Sequence, residues 1–408
     1  MNVLLLGNGF DIYHHLPTKY HNFLNVAIFL HDHYNEGKEF IGDVFSDKRL
    51  QDKDSYIAEC YRRHKGVYDT FVLSQEKIKE IIKLCRDNKW FTYFSKSFDK
   101  IANWIDFEKE IAFVIKVFNK FLSNATAIPT MPTDEADSMY ILNHFNFFIE
   151  TKSDGYIGFP TTKVKDKYII EYPKGSKNRV VNKDLIISEL SNELDNLAKA
   201  LKLYLYCFVD ITLERINKDP YTKKCQAINY IDYTISFNYT HTYEKLYSKN
   251  EIYHLHGDVK HKIILGINPD KYDNIDTIDT SFVQFKKYYQ RTYFETDHAY
   301  FKWIDNVKEI GECFYLTVMG HSLDITDKDI IIELFEHAIA INVFYHDETA
   351  KKDYIDNLIK IFGKQKFDDL RRNQNLRFCS LNDDLNVFAK YLKSHSDEEC
   401  IKQYSQIL

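Results

Sequence analysis

No two of the seven cysteines, at 60, 85, 207, 225, 313, 379 and 400, have Cys-x-x-Cys spacing, and their number is odd. That argues against a disulfide framework and against a thiolate zinc site, and leads us to expect a reducing cytoplasm. Glycine and proline are scarce, 13 and 7 in 408 residues, so long disordered linkers are not expected. No run approaches the roughly 18 apolar residues of a membrane span. One of the longest, Ala338 to Tyr345, is broken by Asn342 and reads as a buried strand with its approach. The opening apolar run ends at Gly7 with no basic segment before it, so it does not read as a secretory leader. Positive charge is not in excess either. The net charge is −6, which gives no reason to expect nucleic acid as a partner, and Lys-rich pieces such as Lys163 to Lys183 read as solvated surface.

What remains is an ordinary folded composition, 44% hydrophobic and 28% charged, on a chain too long for one typical core. Val3 to Leu6 is short, unbroken and apolar, as a strand buried on both faces would be. Thr18 to about Tyr34 has helical spacing, with Pro17 and Thr18 as its start signal. From Lys38 to about Ala227 the pattern is mostly helical, clearest over Gln75 to Cys85, Asn103 to Leu122 and Leu185 to Ile216. Within it, 151–183 carries Gly155, Gly158, Pro160, Pro173 and Gly175 and reads as a loop or small hairpin.

After Ala227 strand-like runs come quickly: Tyr233 to Phe237, Ile252 to Leu255, Ile263 to Gly266, Tyr315 to Met319, Ile341 to Tyr345 and Leu376 to Ser380. Helical stretches, including Ser281 to Tyr289 and Asp327 to Ala340, lie between several of them, which indicates a parallel sheet. The strand at Val3 has no partner nearby, so we expect it to join this later sheet. The expected fold is α/β, a doubly wound, mainly parallel Rossmann-like sheet. Its domain would comprise residues 1–37 and 227–408, with a mostly helical insertion at 38–226 after the first β-α unit.

Ligands of open parallel sheets bind beyond the carboxyl ends of the strands. Those ends hold Gly7-Asn8-Gly9-Phe10-Asp11, Asn238-Tyr239-Thr240-His241, His254-Leu255-His256-Gly257-Asp258, Gly320-His321-Ser322-Leu323-Asp324 and His346-Asp347. Turn chemistry alone favours such residues, but their clustering after successive strands suggests a site. Gly7 and Gly9 can offer backbone N–H groups to a phosphate, although the third glycine of a dinucleotide fingerprint is missing. Asn238 can hold a ribose or a water by donating and accepting together. His256, with an ordinary pKa of about 6.5, suits proton transfer, and Gly257 beside it leaves room for a substrate. Gly320 and Ser322 can face phosphate or ribose. The Gly-x-Ser-x-Gly elbow fails at Asp324. His254 and His256, two apart on a strand, would share a face and could pair on a metal. Trp104, Asp106 and Glu108 sit on a predicted helix whose carboxylates either line the site or form a charged face.

Five stretches together resemble the AbiH family of bacterial phage-defence proteins: "LLLGNGFDIYHHLPTKYHNFL", "NWIDFEKEI", "ISFNYTHTYEKLY", "HLHGD" and "VMGHSLDITDKDII". A more distant resemblance is to sirtuin-type NAD-binding domains. These have, in order, a Gly-x-Gly turn, a strand-end Asn, a His-Gly and a Gly-x-Ser-Leu, as Gly7/Gly9, Asn238, His256-Gly257 and Gly320/Ser322-Leu323 stand here.

The resemblance implies a sirtuin-like core in which Asn238 and His256 act at the nicotinamide ribose. Gly7, Asn8, Gly9, Phe10, Asp11, Tyr239, Gly257, Gly320, His321, Ser322 and Leu323 would hold the dinucleotide. Defence-associated sirtuin-like proteins hydrolyse NAD, so the expectation is an NAD hydrolase with NAD as substrate or ligand and no required cofactor or metal. Asn8 and Asp11 stand where sirtuins have Ala and Ser, Tyr239 and Thr240 follow Asn238, and the four-Cys zinc module is absent. These departures argue against deacylation and are compatible with glycosidic hydrolysis. The expected partners are NAD or a related nucleotide and a phage-derived trigger, with no membrane, and homo-oligomerisation is left open. Two alternatives stand beside this one: a non-catalytic nucleotide sensor, and a metal-dependent phosphoesterase or nuclease using His254, His256, Asp258, His321 and Asp324.

Overall fold

In the computed structural model, the described residues are 1–96, 104–123, 136–151, 161–171, 179–220, 222, 224–225, 228, 230–247, 250–267, 280–373 and 376–381. They contain ten strands. β1 is Asn2–Leu6, β2 Phe148–Thr151, β3 Thr161–Val164, β4 Ile169–Glu171, β5 Arg179–Val181, β6 Tyr233–Ser236, β7 Glu251–His254, β8 Phe314–Met319, β9 Ala338–Tyr345 and β10 Arg377–Ser380. Six form one sheet in the order β10-β9-β8-β1-β6-β7, and every neighbouring pair is parallel. The molecule is therefore α/β with a parallel sheet, and the first strand lies inside it, between β8 and β6.

The sequence explains why β1 can occupy the middle. Alternate residues of a strand face opposite sides, and here both sides are apolar. Val3 and Leu5 pack with Ile235, Leu316, Val318 and Ile341, whereas Leu4 and Leu6 pack with Phe10, Tyr243, Met319 and Phe344. Each buried Leu or Val contributes about 1.5–3 kcal/mol, so β1 is anchored from both faces. On the Val3 side the cover includes the helices His298–Ile310, Lys328–His337 and Glu348–Asn373.

The chain divides into two compact units, one of Met1–Ile78, Lys202–Ile264 and Arg291–Leu408, the other of Lys79–Leu201 and Leu265–Gln290. The first holds the parallel sheet. Segments 38–78 and 202–226, grouped by sequence with the insertion, are assigned to it, and 265–290 is assigned to the second. The expected boundary at 227 lies outside the described residues. In the second unit β2 pairs with β3 and β4 with β5, both antiparallel, so the expected hairpin region at 151–183 contains parts of two small hairpins.

The run Ile263 to Gly266, expected as a strand, makes only an isolated bridge between Gly257 and Ile263. Its apolar side chains are buried without a ladder, which short apolar runs cannot signal in advance. The expected helix to Ala340 ends at His337, because Ala338 already belongs to β9. No helix among the described residues is long and apolar enough to cross a membrane.

Candidate functional site

Outward from β1 the sheet runs β6 then β7 on one side and β8, β9, β10 on the other, so the order reverses between β1 and β8. Such a reversal opens a crevice beyond the carboxyl ends of the strands. The two loops that flank it touch. Gly7 N–H donates to Met319 O at 3.2 Å and Gly9 N–H donates to Gly320 O at 2.8 Å. A Cβ on Gly9 would stand 2.7 Å from the Gly320 Cα, and one on Gly320 would stand 2.1 Å from the Phe10 nitrogen. Gly320 also has φ +72°, where L side chains are strained. All three glycines are thus needed for backbone to meet backbone, and the N–H groups of Gly7 and Gly9 are engaged by the neighbouring loop.

Gly257 has a similar explanation. At φ +72° it lets the chain turn, and a Cβ there would lie 1.7 Å from the Lys262 carbonyl oxygen. The close approach it permits is that of the chain's own loop.

The polar side chains of these loops form two groups. In one, Asp11 is buried in the short helix Gly9–Tyr13. Thr240 Oγ1 donates to its Oδ2 at 2.7 Å, Thr242 Oγ1 donates to Thr240 Oγ1 at 3.1 Å, and Asp11 Oδ1 is buried with no hydrogen-bond partner. Burial pushes the Asp11 carboxyl up to about 7, against the threonine hydroxyls that pull it down.

In the other group, Asp327 stands between two buried imidazoles. Its Oδ1 lies 3.3 Å from His256 Nε2 and its Oδ2 lies 3.6 Å from His321 Nε2. His321 Nδ1 accepts the Leu323 N–H at 3.0 Å, so the His321 proton belongs on Nε2, facing the carboxylate. Leu323 adopts φ +52°, unusual for a bulky residue, and this bend turns its N–H back onto the ring. The Phe237 ring closes the group, 4.8 Å from His256 and 4.4 Å from His321. Asn238, next in sequence, is buried and its Oδ1 has no hydrogen-bond partner.

The remaining expected residues have more ordinary places. Phe10 is core, packed against His14, Tyr243 and Tyr247. Asn8 Oδ1 accepts from Thr18 Oγ1 at 2.6 Å. Tyr239 donates its hydroxyl to the Ile264 carbonyl at 2.6 Å, and the Ser322 carbonyl accepts from Asn357 Nδ2 at 3.1 Å. Asp324 caps the turn at Thr326 N–H.

His254 pairs with Glu244, whereas His256 stands against Asp327. β7 closes at His254, so strand alternation does not extend to His256. The side chains of Trp104 and Asp106 lie outside the described residues, whereas Glu108 forms a buried 2.9 Å pair with Lys287 within the second unit.

Asp327 was not among the candidates read from sequence. Its only signal was its place inside "GHSLDITD", and its role comes from contacts between separate loops. Thr242, which donates to Thr240 beside Asp11, was missed for the same reason.

These observations define an α/β protein with buried, incompletely satisfied polar groups at the carboxyl ends of a parallel sheet. A family model described as "Bacteriophage abortive infection AbiH" matches residues 3–345, and the chain belongs to that family. It is thus a bacteriophage abortive-infection protein. No curated protein and no solved structure matches the chain in the comparisons.

Proposed function

We propose that this protein binds a nucleotide of the NAD type beyond the ends of β1, β6, β7 and β8 and hydrolyses it at the nicotinamide–ribose bond. The observation that carries the reading is the buried His256–Asp327–His321 group at the strand ends, closed by Phe237, whose neighbour in sequence, Asn238, has its Oδ1 buried and unpartnered. The strand order, β7-β6-β1-β8-β9-β10 read outward, is the order of doubly wound dinucleotide-binding sheets, which supports a sirtuin-like core.

The chemistry asks little of the protein. Nicotinamide leaves as a neutral molecule with the bonding electron pair, an oxocarbenium-like ribose develops, and a water oxygen adds at its anomeric carbon. His256 takes the water's proton. Asp327, 3.3 Å from His256 Nε2, stabilises the imidazolium that results. Asn238 orients ribose or water. Asp11, pushed up to about 7 by burial, would serve as a further proton donor or acceptor. Gly7, Gly9, Gly320 and Ser322 shape the loops that flank the phosphates, and Asn8, Phe10, Tyr239, Gly257, His321 and Leu323 build the walls behind them. No metal is required by this step.

The test is release of nicotinamide from NAD by the purified full chain, in the presence and absence of phage lysate. The reading expects turnover that falls at least about a hundredfold in His256→Ala and Asp327→Asn. Undiminished turnover in both variants would overturn the roles assigned to them, and no turnover under either condition would overturn hydrolysis itself. Stoichiometric NAD binding without product would favour the sensor reading instead.

A further inference from the structure

We propose that His241, Glu244 and His254 form a binding site for one divalent transition-metal ion, zinc in the first instance. The three belong to the β6–β7 edge of the sheet. His241 precedes the short helix Thr242–Leu246, Glu244 lies within it, and His254 ends β7. One ligand atom from each can be chosen so that all lie within 4.8 Å of one another.

The orientation of the two rings carries the inference. His241 Nδ1 faces Asp210 Oδ1 at 3.0 Å, and His254 Nδ1 faces the Asn238 carbonyl at 3.0 Å. Each Nδ1 therefore carries its proton toward an oxygen acceptor, which leaves Nε2 as the nitrogen that can turn to a metal; His254 Nε2 would release to solvent the proton it now donates to Glu244. Glu244 Oε1 stands 2.7 Å from His254 Nε2, and Asp258 Oδ2 stands 3.9 Å from His241 Nε2. Imidazoles that ligate a metal through one nitrogen while the other donates to a carboxylate or carbonyl are the usual outer-shell arrangement.

The donor set, two imidazole nitrogens and one carboxylate, suits zinc and neighbouring dications, and leaves a position for water or Asp258. Zinc bonds of about 2.0–2.2 Å require side-chain shifts of about an ångström. Three carboxylates, Asp210, Glu244 and Asp258, surround the two rings, so the charge balance favours a dication. Glu244 and His254 are 21% and 12% exposed, which leaves a path for entry. The site is separate in its ligands from the His256–Asp327 pair and does not depend on the nucleotide reading.

The untagged full chain, stripped with chelator, is titrated with Zn²⁺ alone by calorimetry, and its melting temperature is followed with and without the ion. One ion per chain and a zinc-dependent rise in Tm are expected. Glu244→Gln should weaken binding at least tenfold and Asp210→Asn by roughly 10–100-fold, both variants keeping the zinc-free Tm within a few degrees. Replacing the exposed His346 by Ala should change nothing. Absence of stoichiometric binding by the folded wild type overturns the proposal. So does binding that is unaltered in Glu244→Gln, Asp210→Asn and His254→Gln alike.

Discussion

Asp11 is costly where it stands. A carboxyl that titrates near 7 when folded and near 3.8 when unfolded prefers to be protonated in the fold, so its stabilising contribution is whole below pH 3.8 and is lost as the pH rises toward 7. The loss is on the order of 4 kcal/mol by neutral pH. Asp11→Asn should therefore be nearly neutral at pH 4 and clearly stabilising at pH 7.5, measured by denaturant midpoints across that range. His14, one turn on, acts in the opposite sense. Burial holds it down to about 4, despite its hydrogen bond to the Phe10 carbonyl, so its contribution is lost as the pH falls from 6.5 toward 4. His14→Gln should flatten that acid limb. A carboxylate kept in so unfavourable a place, with one oxygen unpartnered, is better explained by use than by stability.

The Gly7-Asn8-Gly9 turn and the Gly320 turn form one device at the level of elements. Each supplies the missing side chain that lets the other approach, and their contact holds the ends of β1 and β8 together at the reversal of strand order. Gly320→Ala adds φ strain to a backbone clash and should cost roughly 2–4 kcal/mol. Gly311→Ala, at φ +71° with open space around it, should cost about 1–2 kcal/mol from strain alone. Thermal or urea unfolding of the two variants compares them directly.

Much of this level was legible in advance. The unbroken Val3–Leu6 run announced a strand buried on both faces, and most later strands fell within a residue or two of their expected bounds. The glycines announced a close approach, yet not of what. A ligand and another loop make the same demand on Cβ, and only the fold tells them apart. Asp327 was invisible for a related reason, because no periodicity connects His256 with a residue 71 positions later.

At the scale of the whole molecule, the second unit is closed by a return of the chain. Residues 265–290 rejoin 79–201, and Glu108 meets Lys287 in a pair only 4% and 2% exposed. Removing one partner leaves a buried charge, so Lys287→Met should destabilise by about 3–5 kcal/mol. Adding Glu108→Gln should recover much of that, as a double-mutant cycle on the full chain would read. The sheet-bearing unit carries the strand-end site, assembled from segments as far apart as Gly7 and Asp327, with the second unit's sequence interposed twice.

The decisive measurement is a crystal structure of the full chain soaked with NAD. The proposed NAD site predicts the dinucleotide across the carboxyl ends of β1 and β8, its nicotinamide ribose against Asn238 and His256. A dinucleotide bound elsewhere, or a His256–Asp327 group left untouched at saturating NAD, would contradict it.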